Sequence, residues 1–291
     1  MEGIMARTFT YLEQLERGIL TEFRETLWQP FCRSVKRYRL IQPGDKVCVC
    51  ISGGKDSMLL AKLIQLLHRH TEFPFEAEYL IMDPGYNPEN RAQVESNAQL
   101  LGIPYTLYES DIFEVIDTQE KNPCFLCARM RRGCLYGQAQ ALGCNKIALG
   151  HHFDDVIETT LLGMMYGGQL QGMPPKLKAK NFPGMELIRP LYIVREDDIC
   201  AWRDKNNLQF IQCACRLTEQ ASQEEHVSKR LEVKRLIKAL HAENPTLEWN
   251  IFGSIHNVQL DTMVGWKYKG KEISFLDEYD EAKGGDNHGI Q

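Results

Sequence analysis

The sequence predicts an α/β protein: an open parallel sheet of about five strands with helices on both faces, extended by helical segments at the N- and C-terminal ends. Three observations carry this. Short apolar runs alternate with amphipathic, helix-length segments from Lys46 to Pro190. The first run, Val47-Cys48-Val49-Cys50-Ile51, feeds at once into Ser52-Gly53-Gly54-Lys55-Asp56-Ser57, a glycine-paired turn flanked by hydroxyls that opens a long amphipathic segment. Helix punctuation falls where the alternation needs it, with Asn87-Pro88 at one start and Gly102 and Gly143 just past two ends.

Taken in order, Met1 to Gln42 reads as helix, with Leu12, Leu15, Ile19 and Phe23 at helical spacing and Pro43-Gly44 as its stop. Strand one spans Lys46 to Ile51. The helix from Ser57 to His70 gathers Leu59, Leu60, Leu63, Ile64 and Leu67 on one side. A second strand covers Ala77 to Met82, a helix runs from Asn87 to Leu101, and a third strand covers Tyr105 to Tyr108. A helix from about Arg129 to Leu142 follows. The fourth strand is Lys146 to Leu149, and Gly150-His151-His152-Phe153-Asp154-Asp155 then leads into a helix to about Tyr166. Gly167 to Gly184 is rich in Gly, Pro and Lys and reads as a loop. Leu187-Ile188 makes a short fifth strand, and helices fit Glu196 to Asn206, Val227 to Glu243 and Leu247 to about Leu260. The last hundred or so residues therefore read as helical.

The expected organisation is an N-terminal helical segment (1–42), a nucleotide-binding α/β domain (43–193), a C-terminal helical region (194–271) and an acidic tail (272–291). Six acids against Lys283 give that tail a charge of −5, the whole net charge of the chain, so the body is near neutral. High polarity and Gly284-Gly285 predict disorder there. With 43% hydrophobic and 25% charged residues the composition is that of a soluble globular protein. No apolar run reaches the roughly 20 residues of a membrane helix. Acidic Glu2 and the lack of an apolar h-region argue against a secretory signal. The expected location is cytoplasmic.

The phosphate-loop reading rests on residue chemistry. Two glycines let the backbone wrap closely around an anion, Ser52 and Ser57 supply hydroxyls, and Lys55 supplies a point charge at a helix start. Asp56 beside phosphates would repel them unless a cation bridges the two, which points to Mg2+. The spacing is neither GxxxxGK[ST] nor GxGxxG. Asp154 also suits a helix N-cap.

Ten cysteines are many for a chain of this class. Cys32, Cys48, Cys50 and Cys144 read as small buried hydrophobes. Cys124 and Cys127 form a CxxC, which alone suits a redox pair, half a zinc site or half an iron–sulfur site. Cys213-Ala214-Cys215 lies far downstream, and convergence of the pairs would suit a tetrahedral metal or iron–sulfur site. Cys134 and Cys200 stand singly.

These motifs together resemble a known family. Ser52-Gly53-Gly54-Lys55-Asp56-Ser57 is similar to the pyrophosphate loop of the PP-loop ATP pyrophosphatases, and Gly150-His151-His152-Phe153-Asp154-Asp155 with Glu158-Thr159 resembles their GHxxDDxxET block. The segments from Cys124 to Gly133, Ile147 to His152, Tyr166 to Lys176 and Arg189-Pro190-Leu191 with Arg195-Glu196 resemble the tRNA 2-thiocytidine synthetases within that group. The resemblance spans roughly Tyr38 to Glu243, and the YGG–GMPPK block is its most specific piece.

The resemblance implies an ATP-dependent tRNA sulfurtransferase that uses ATP, Mg2+ and a 4Fe-4S cluster held by three cysteines. Cys124 and Cys127 match two ligands. Cys215 is the expected third, with Cys213 as rival, because the family's PCxxC is one residue shorter here. ATP would contact Ser52, Gly53, Gly54, Lys55, Asp56, Ser57, Asp83, Gly150, His151 and Asp155, with Asp56 on Mg2+ and with Lys55, Asp56 and the three cysteines as the catalytic set. In the implied reaction a cytidine O2 is adenylated with loss of pyrophosphate, and sulfide from the cluster's open iron then displaces AMP at C2. Arg129, Arg131 and Arg132, with Lys176, Lys178 and Lys180, are the expected contacts to tRNA, whose anticodon loop supplies an unstacked base. A sulfide or cysteine-desulfurase-type donor is the other expected partner, no membrane is involved, and a homodimer is kept open. Thiolation of another tRNA base or of a small molecule by the same chemistry, and a non-catalytic metal or redox module, stay as alternatives.

Overall fold

In the computed structural model, described over residues 9–113, 123–211, 225–277 and 279, the chain divides into two compact units, one ending at Ala239 and the other beginning at Leu240. Residues 123–125, 127–128 and 225–228 are described by their backbone alone.

The N-terminal helix is broken where one continuous helix was expected. Helix α1 (Tyr11–Leu20) starts at a capping box of Thr10 and Glu13, and α2 covers Gln29–Arg37. Between them Arg24–Trp28 widens into a π-type turn. Pro30, in the first turn of α2, has no N–H to donate to the preceding turn, so the break falls just upstream of it. Leu15, Ile19, Leu27 and Phe31 still reach the core.

The sheet begins with β1 (Lys46–Ile51), followed by α3 (Lys55–His70), β2 (Glu76–Asp83), α4 (Pro88–Leu100) and β3 (Thr106–Glu109). The chain continues through α5 (Pro123–Ala141), β4 (Lys146–Ala148), α6 (Phe153–Gly167), β5 (Lys176–Lys178), β6 (Glu186–Ile188), α7 (Glu196–Lys205) and α8 (Glu225–Glu243). Strand order is β3-β2-β1-β4-β6-β5. All neighbours pair in parallel except β5, which is antiparallel to β6. The parallel sheet of about five strands that was expected is extended at this edge by one antiparallel strand. The Gly/Pro/Lys-rich stretch read as loop turns at Pro183-Gly184, where Gly184 has φ +81°, and its lysine-bearing strand closes the sheet. Lysines on an edge strand discourage further pairing, and they also hid the strand from a hydrophobicity reading.

Because β1 is central, both of its faces are buried. Val47, Val49 and Ile51 pack into the main core with α3, while Cys48 and Cys50 join Tyr136, Ala139, Cys144 and Ile147 on the α5 side. Cys48, Cys50 and Cys144 are buried and Cys32 is half-buried, as expected of small apolar side chains. Among the described residues no helix is long and apolar enough to cross a membrane.

The second unit was expected to be helical and is only partly so. After α9 (Thr246–Ser254) it forms a hairpin of β7 (Gly265–Tyr268) and β8 (Lys271–Ser274). Lys269 and Gly270 at its tip both have positive φ, the requirement of a two-residue turn matched to strand twist. The first residues read as acidic tail therefore lie in a strand. The rest of that tail beyond Tyr279 lies outside the described residues, as do Cys213 and Cys215.

Candidate active site

Strand order reverses beside β1: β2 and β3 extend to one side, β4 and β6 to the other. Open α/β sheets bind ligands in the crevice that this reversal leaves at the carboxyl ends of the strands. A cavity of about 370 Å3 lies there, lined by Ser52, Asp56 and Ser57 after β1, by Gly150, His151 and Asp155 after β4, and by Arg131 and Arg132 of α5. Ile51, Met82, Leu135 and Leu149 supply its apolar walls.

The loop after β1 is held in shape by its own hydroxyls. Ser57 Oγ donates to Gly54 O (3.0 Å), accepts from the Ser52 N–H (3.1 Å) and lies 3.2 Å from Ser52 Oγ. Gly53 has φ +82°, and a Cβ there would run into side-chain carbons of Val94 and Ile211, so position 53 needs glycine on both counts. Gly150 is needed for a different reason. A Cβ would stand 3.0 Å from both Asp56 C and Ser57 N, which means the two loops of the crevice touch backbone to backbone at this point.

Charge is densely paired around the loop. Lys55 Nζ lies 3.0 Å from Glu196 Oε1 and 3.2 Å from Asp56 Oδ1. Glu196 Oε2 is held in turn by Lys234 of α8 at 2.6 Å. Burial opposes ionisation of Glu196, yet the two lysines outweigh it and hold the carboxyl down to about 2. Arg230, one turn before Lys234, donates to Asp155 Oδ1 (2.8 Å) and to Glu158 Oε2 (2.9 Å). Sequence reasoning missed Glu196, Arg230 and Lys234 as parts of this site. The readable signal was the i, i+4 pair of cations on one face of α8, without any indication of which acids it faced.

The two histidines divide in role. His152 is the N-cap of α6, its backbone N–H bonded to Asp155 Oδ2 at 3.1 Å. Its ring is buried, with Asp154 3.6 Å, Asp155 3.5 Å and Asp56 3.8 Å away. Burial disfavours the imidazolium, but these three carboxylates prevail and raise its pKa to about 9. His151 faces the cavity, and burial, aided by the positive charge of Arg189, pushes it down to about 4. Asp154 caps no residue of its own helix. Its Oδ2 accepts the Glu196 N–H at 2.7 Å, tying the start of α7 to the β4 loop.

Of the residues expected at the site, Ser52, Asp56, Ser57, Gly150, His151 and Asp155 share the crevice with Arg131 and Arg132. Gly54 and Lys55 line a neighbouring cavity of about 500 Å3 with Glu196 and Cys200, and Asp56 borders both. The Asp83 carboxylate is turned onto its own loop, where it accepts the Gly85 and Tyr86 N–H groups (2.8 and 2.6 Å); Tyr86 then donates its hydroxyl to Ser52 O (3.1 Å). The basic residues differ in exposure. Arg129 is exposed on α5 and Lys178 and Lys180 are exposed at the sheet edge, while Lys176 donates to Arg39 O at 3.2 Å.

The resemblance implies two bound groups, a magnesium nucleotide and an iron–sulfur cluster. For a magnesium nucleotide the residues fit: His151 Nδ1 is buried at the crevice without a hydrogen-bond partner among the described residues, and the Asp56 carboxylate, ion-paired with Lys55, borders the same crevice beside a loop that presents backbone N–H groups. For a cluster, the donor chemistry fits as far as it is described. Cys124 and Cys127 lie one turn apart at the start of α5, and Arg131 follows one turn later on the same helix. Among the described residues no three His, Cys, Asp or Glu side chains converge as a metal site, and the expected third ligand, Cys215 or Cys213, lies outside them.

Comparison with known proteins places this architecture. The PP-loop domain family matches residues 26–219. The tRNA-cytidine(32) 2-sulfurtransferase of Bordetella pertussis is 37% identical over 233 residues, covering 78% of this chain and 69% of that protein. The enzyme of the same name from Anaeromyxobacter dehalogenans is 34% identical over 251 residues, 85% of this chain and 81% of its own. In structure, the U34-tRNA thiolase NcsA of Methanococcus maripaludis, solved with its 4Fe-4S cluster, superposes with a TM-score of 0.63 at 20% identity, over 90% of this chain and 88% of that one. That likeness is one of fold.

Proposed function

The chain belongs to the PP-loop family, and within it to the tRNA-cytidine 2-sulfurtransferases, and on that premise we propose that it replaces O2 of a tRNA anticodon-loop cytidine with sulfur in an ATP-dependent reaction. The observation that carries the proposal is the crevice itself, in which Ser52, Asp56 and Ser57 meet Gly150, His151 and Asp155 at the switch point of the sheet with two arginines of the CxxC helix facing them.

The cytosine C2 carbonyl has a poor leaving oxygen, and activation addresses that step. The loop from Ser52 to Ser57 binds the nucleotide phosphates, and Lys55 meets their charge by exchanging Glu196 for phosphate oxygen. Asp56 holds Mg2+. Cytidine O2 attacks the α-phosphorus, the P–O bond to pyrophosphate breaks, and an O2-adenylated base results. Arg131 and Arg132 balance the charge that develops on the phosphate side. A sulfur nucleophile then forms a bond to C2 and AMP departs with the former O2. Cys124, Cys127 and Cys215 (or Cys213) would hold a 4Fe-4S cluster, which supplies a bound, activated sulfur when present. His151 is neutral at physiological pH, so it serves as a hydrogen-bonding wall of the crevice rather than a cation. Inorganic sulfide or a cysteine-desulfurase-type donor provides the sulfur, and the protein works in the cytoplasm.

Deletion of the gene tests this reading. Digested tRNA from the deletion strain should lack 2-thiocytidine and regain it on complementation with the wild-type gene. An unchanged nucleoside profile, or loss of a thiouridine instead, would overturn it.

A further inference from the structure

We propose that the β7–β8 hairpin of the second unit is an RNA-docking element, with Tyr268 as a stacking surface and Lys269 and Lys271 as phosphate contacts. This rests on the reading of the chain as a tRNA enzyme. The PP-loop domain match ends at residue 219, so the hairpin lies outside that domain.

The hairpin's two faces differ in chemistry. Directly opposed residues of an antiparallel pair lie on the same side. The register sets Trp266 against Ile273 and Tyr268 against Lys271 on one side, and Lys267 against Glu272 on the other. Lys267 is neutralised by Glu272 at 2.7 Å. On the first side Trp266 and Ile273 are half-buried and form a base. Beyond it Tyr268 stands 58% exposed, with the Lys269 ammonium 5.0 Å from its ring centroid and Lys271 across the ladder.

An exposed ring between ammonium groups is how proteins bind unpaired nucleotides, the ring stacking on a base and the cations meeting the backbone. The two tip lysines favour a polyanion over a second copy of the chain, because two such tips brought together would oppose lysine to lysine. Two acids of the hairpin and the residues just after it are engaged: Glu272 on the far face, and Asp277 on the Ser274 N–H at 2.9 Å. A tight two-residue turn with Lys269 and Gly270 at positive φ sets the two lysines beside the ring.

The test uses the full-length protein and unmodified tRNA, with affinity measured across a salt series for wild type, Lys269→Gln/Lys271→Gln and Tyr268→Ala. Loss of two phosphate contacts should weaken binding about tenfold at low salt and make the log K against log salt slope shallower by roughly 1–2. Tyr268→Ala should weaken binding at least about fivefold with the slope unchanged. Thermal unfolding and sedimentation of each variant should match wild type, which separates a lost contact from a lost fold. Unchanged affinity and slope in both variants would overturn the proposal, and so would an altered oligomeric state with RNA binding intact, which would make the hairpin a protein interface. If wild type thiolates tRNA while the variants bind as it does, the hairpin assignment alone falls. If wild type neither binds nor thiolates tRNA, the functional reading falls and takes the hairpin with it.

Discussion

The ammonium of Lys55 lies 3.0 Å from a carboxylate oxygen of Glu196, 141 residues further along the chain. The second oxygen of that carboxylate is bound to Lys234. One acid thus holds the phosphate-loop lysine and the α8 helix at once, and an incoming phosphate competes with Glu196 for Lys55. Loss of this charge has a pH signature. A carboxyl held near 2 in the folded protein, against 4.5 for the free group, stabilises the fold above pH 4.5, and that stabilisation is lost as pH falls toward 2. Denaturant unfolding of wild type and Glu196→Gln should therefore differ most above pH 4.5 and converge as pH drops toward 2. A constant gap across that window would show that the charge is not the source.

Asp154 acts on the helix that carries Glu196. Replacing it with alanine removes the acceptor for the Glu196 N–H and should cost about 1 kcal/mol, within the 0.5–2 kcal/mol range of N-terminal caps. Asp154→Asn keeps an acceptor and should recover part of that loss. Urea midpoints at neutral pH check both.

Gly150→Ala brings a methyl group within 3.0 Å of the Asp56 and Ser57 backbone, where no flexible side chain can give way. The two loops must separate, at a cost of about 1–3 kcal/mol. Nucleotide affinity measured by calorimetry should fall more than thermal stability does, because the displaced atoms belong to the phosphate loop.

Arg230 bridges Asp155 and the buried Glu158. Burial raises the Glu158 pKa even with the guanidinium in place. Arg230→Met leaves that carboxyl without its cation and should destabilise by about 1–3 kcal/mol. Adding Glu158→Gln should restore part of the loss, so that the double variant is more stable than the sum of the single effects predicts. Strict additivity in a double-mutant cycle would refute the coupling.

Much of the nucleotide half of the site was legible because its chemistry is local. A glycine-paired turn between an apolar strand and an amphipathic helix has few folded solutions, and Ser52 to Ser57 adopt one. Gly150, His151 and Asp155 were equally readable at the end of β4 and do reach the same crevice. What composition concealed was long-range or edge-dependent. The strand Lys176–Lys178 is carried by pairing to Glu186–Ile188 and not by its own hydrophobicity. The hairpin from Gly265 to Ser274 hides its apolar side behind alternating lysines. Arg131 and Arg132, expected as tRNA contacts, line the crevice beside the loop after β1, a placement no local pattern announces. Glu196, Arg230 and Lys234 meet only through tertiary packing, which no local pattern announces.

The most direct test of the central claim is the product itself. Anaerobically purified protein, reconstituted with iron and sulfide, is incubated with ATP, Mg2+, sulfide and tRNA lacking the modification, and the digested tRNA is analysed by mass spectrometry. The account predicts 2-thiocytidine at one base, formed with one AMP and one pyrophosphate per thiolated base and abolished in Asp56→Ala. Thiolation without ATP, a thiolated uridine in place of cytidine, or AMP release with no sulfur in the tRNA would contradict it.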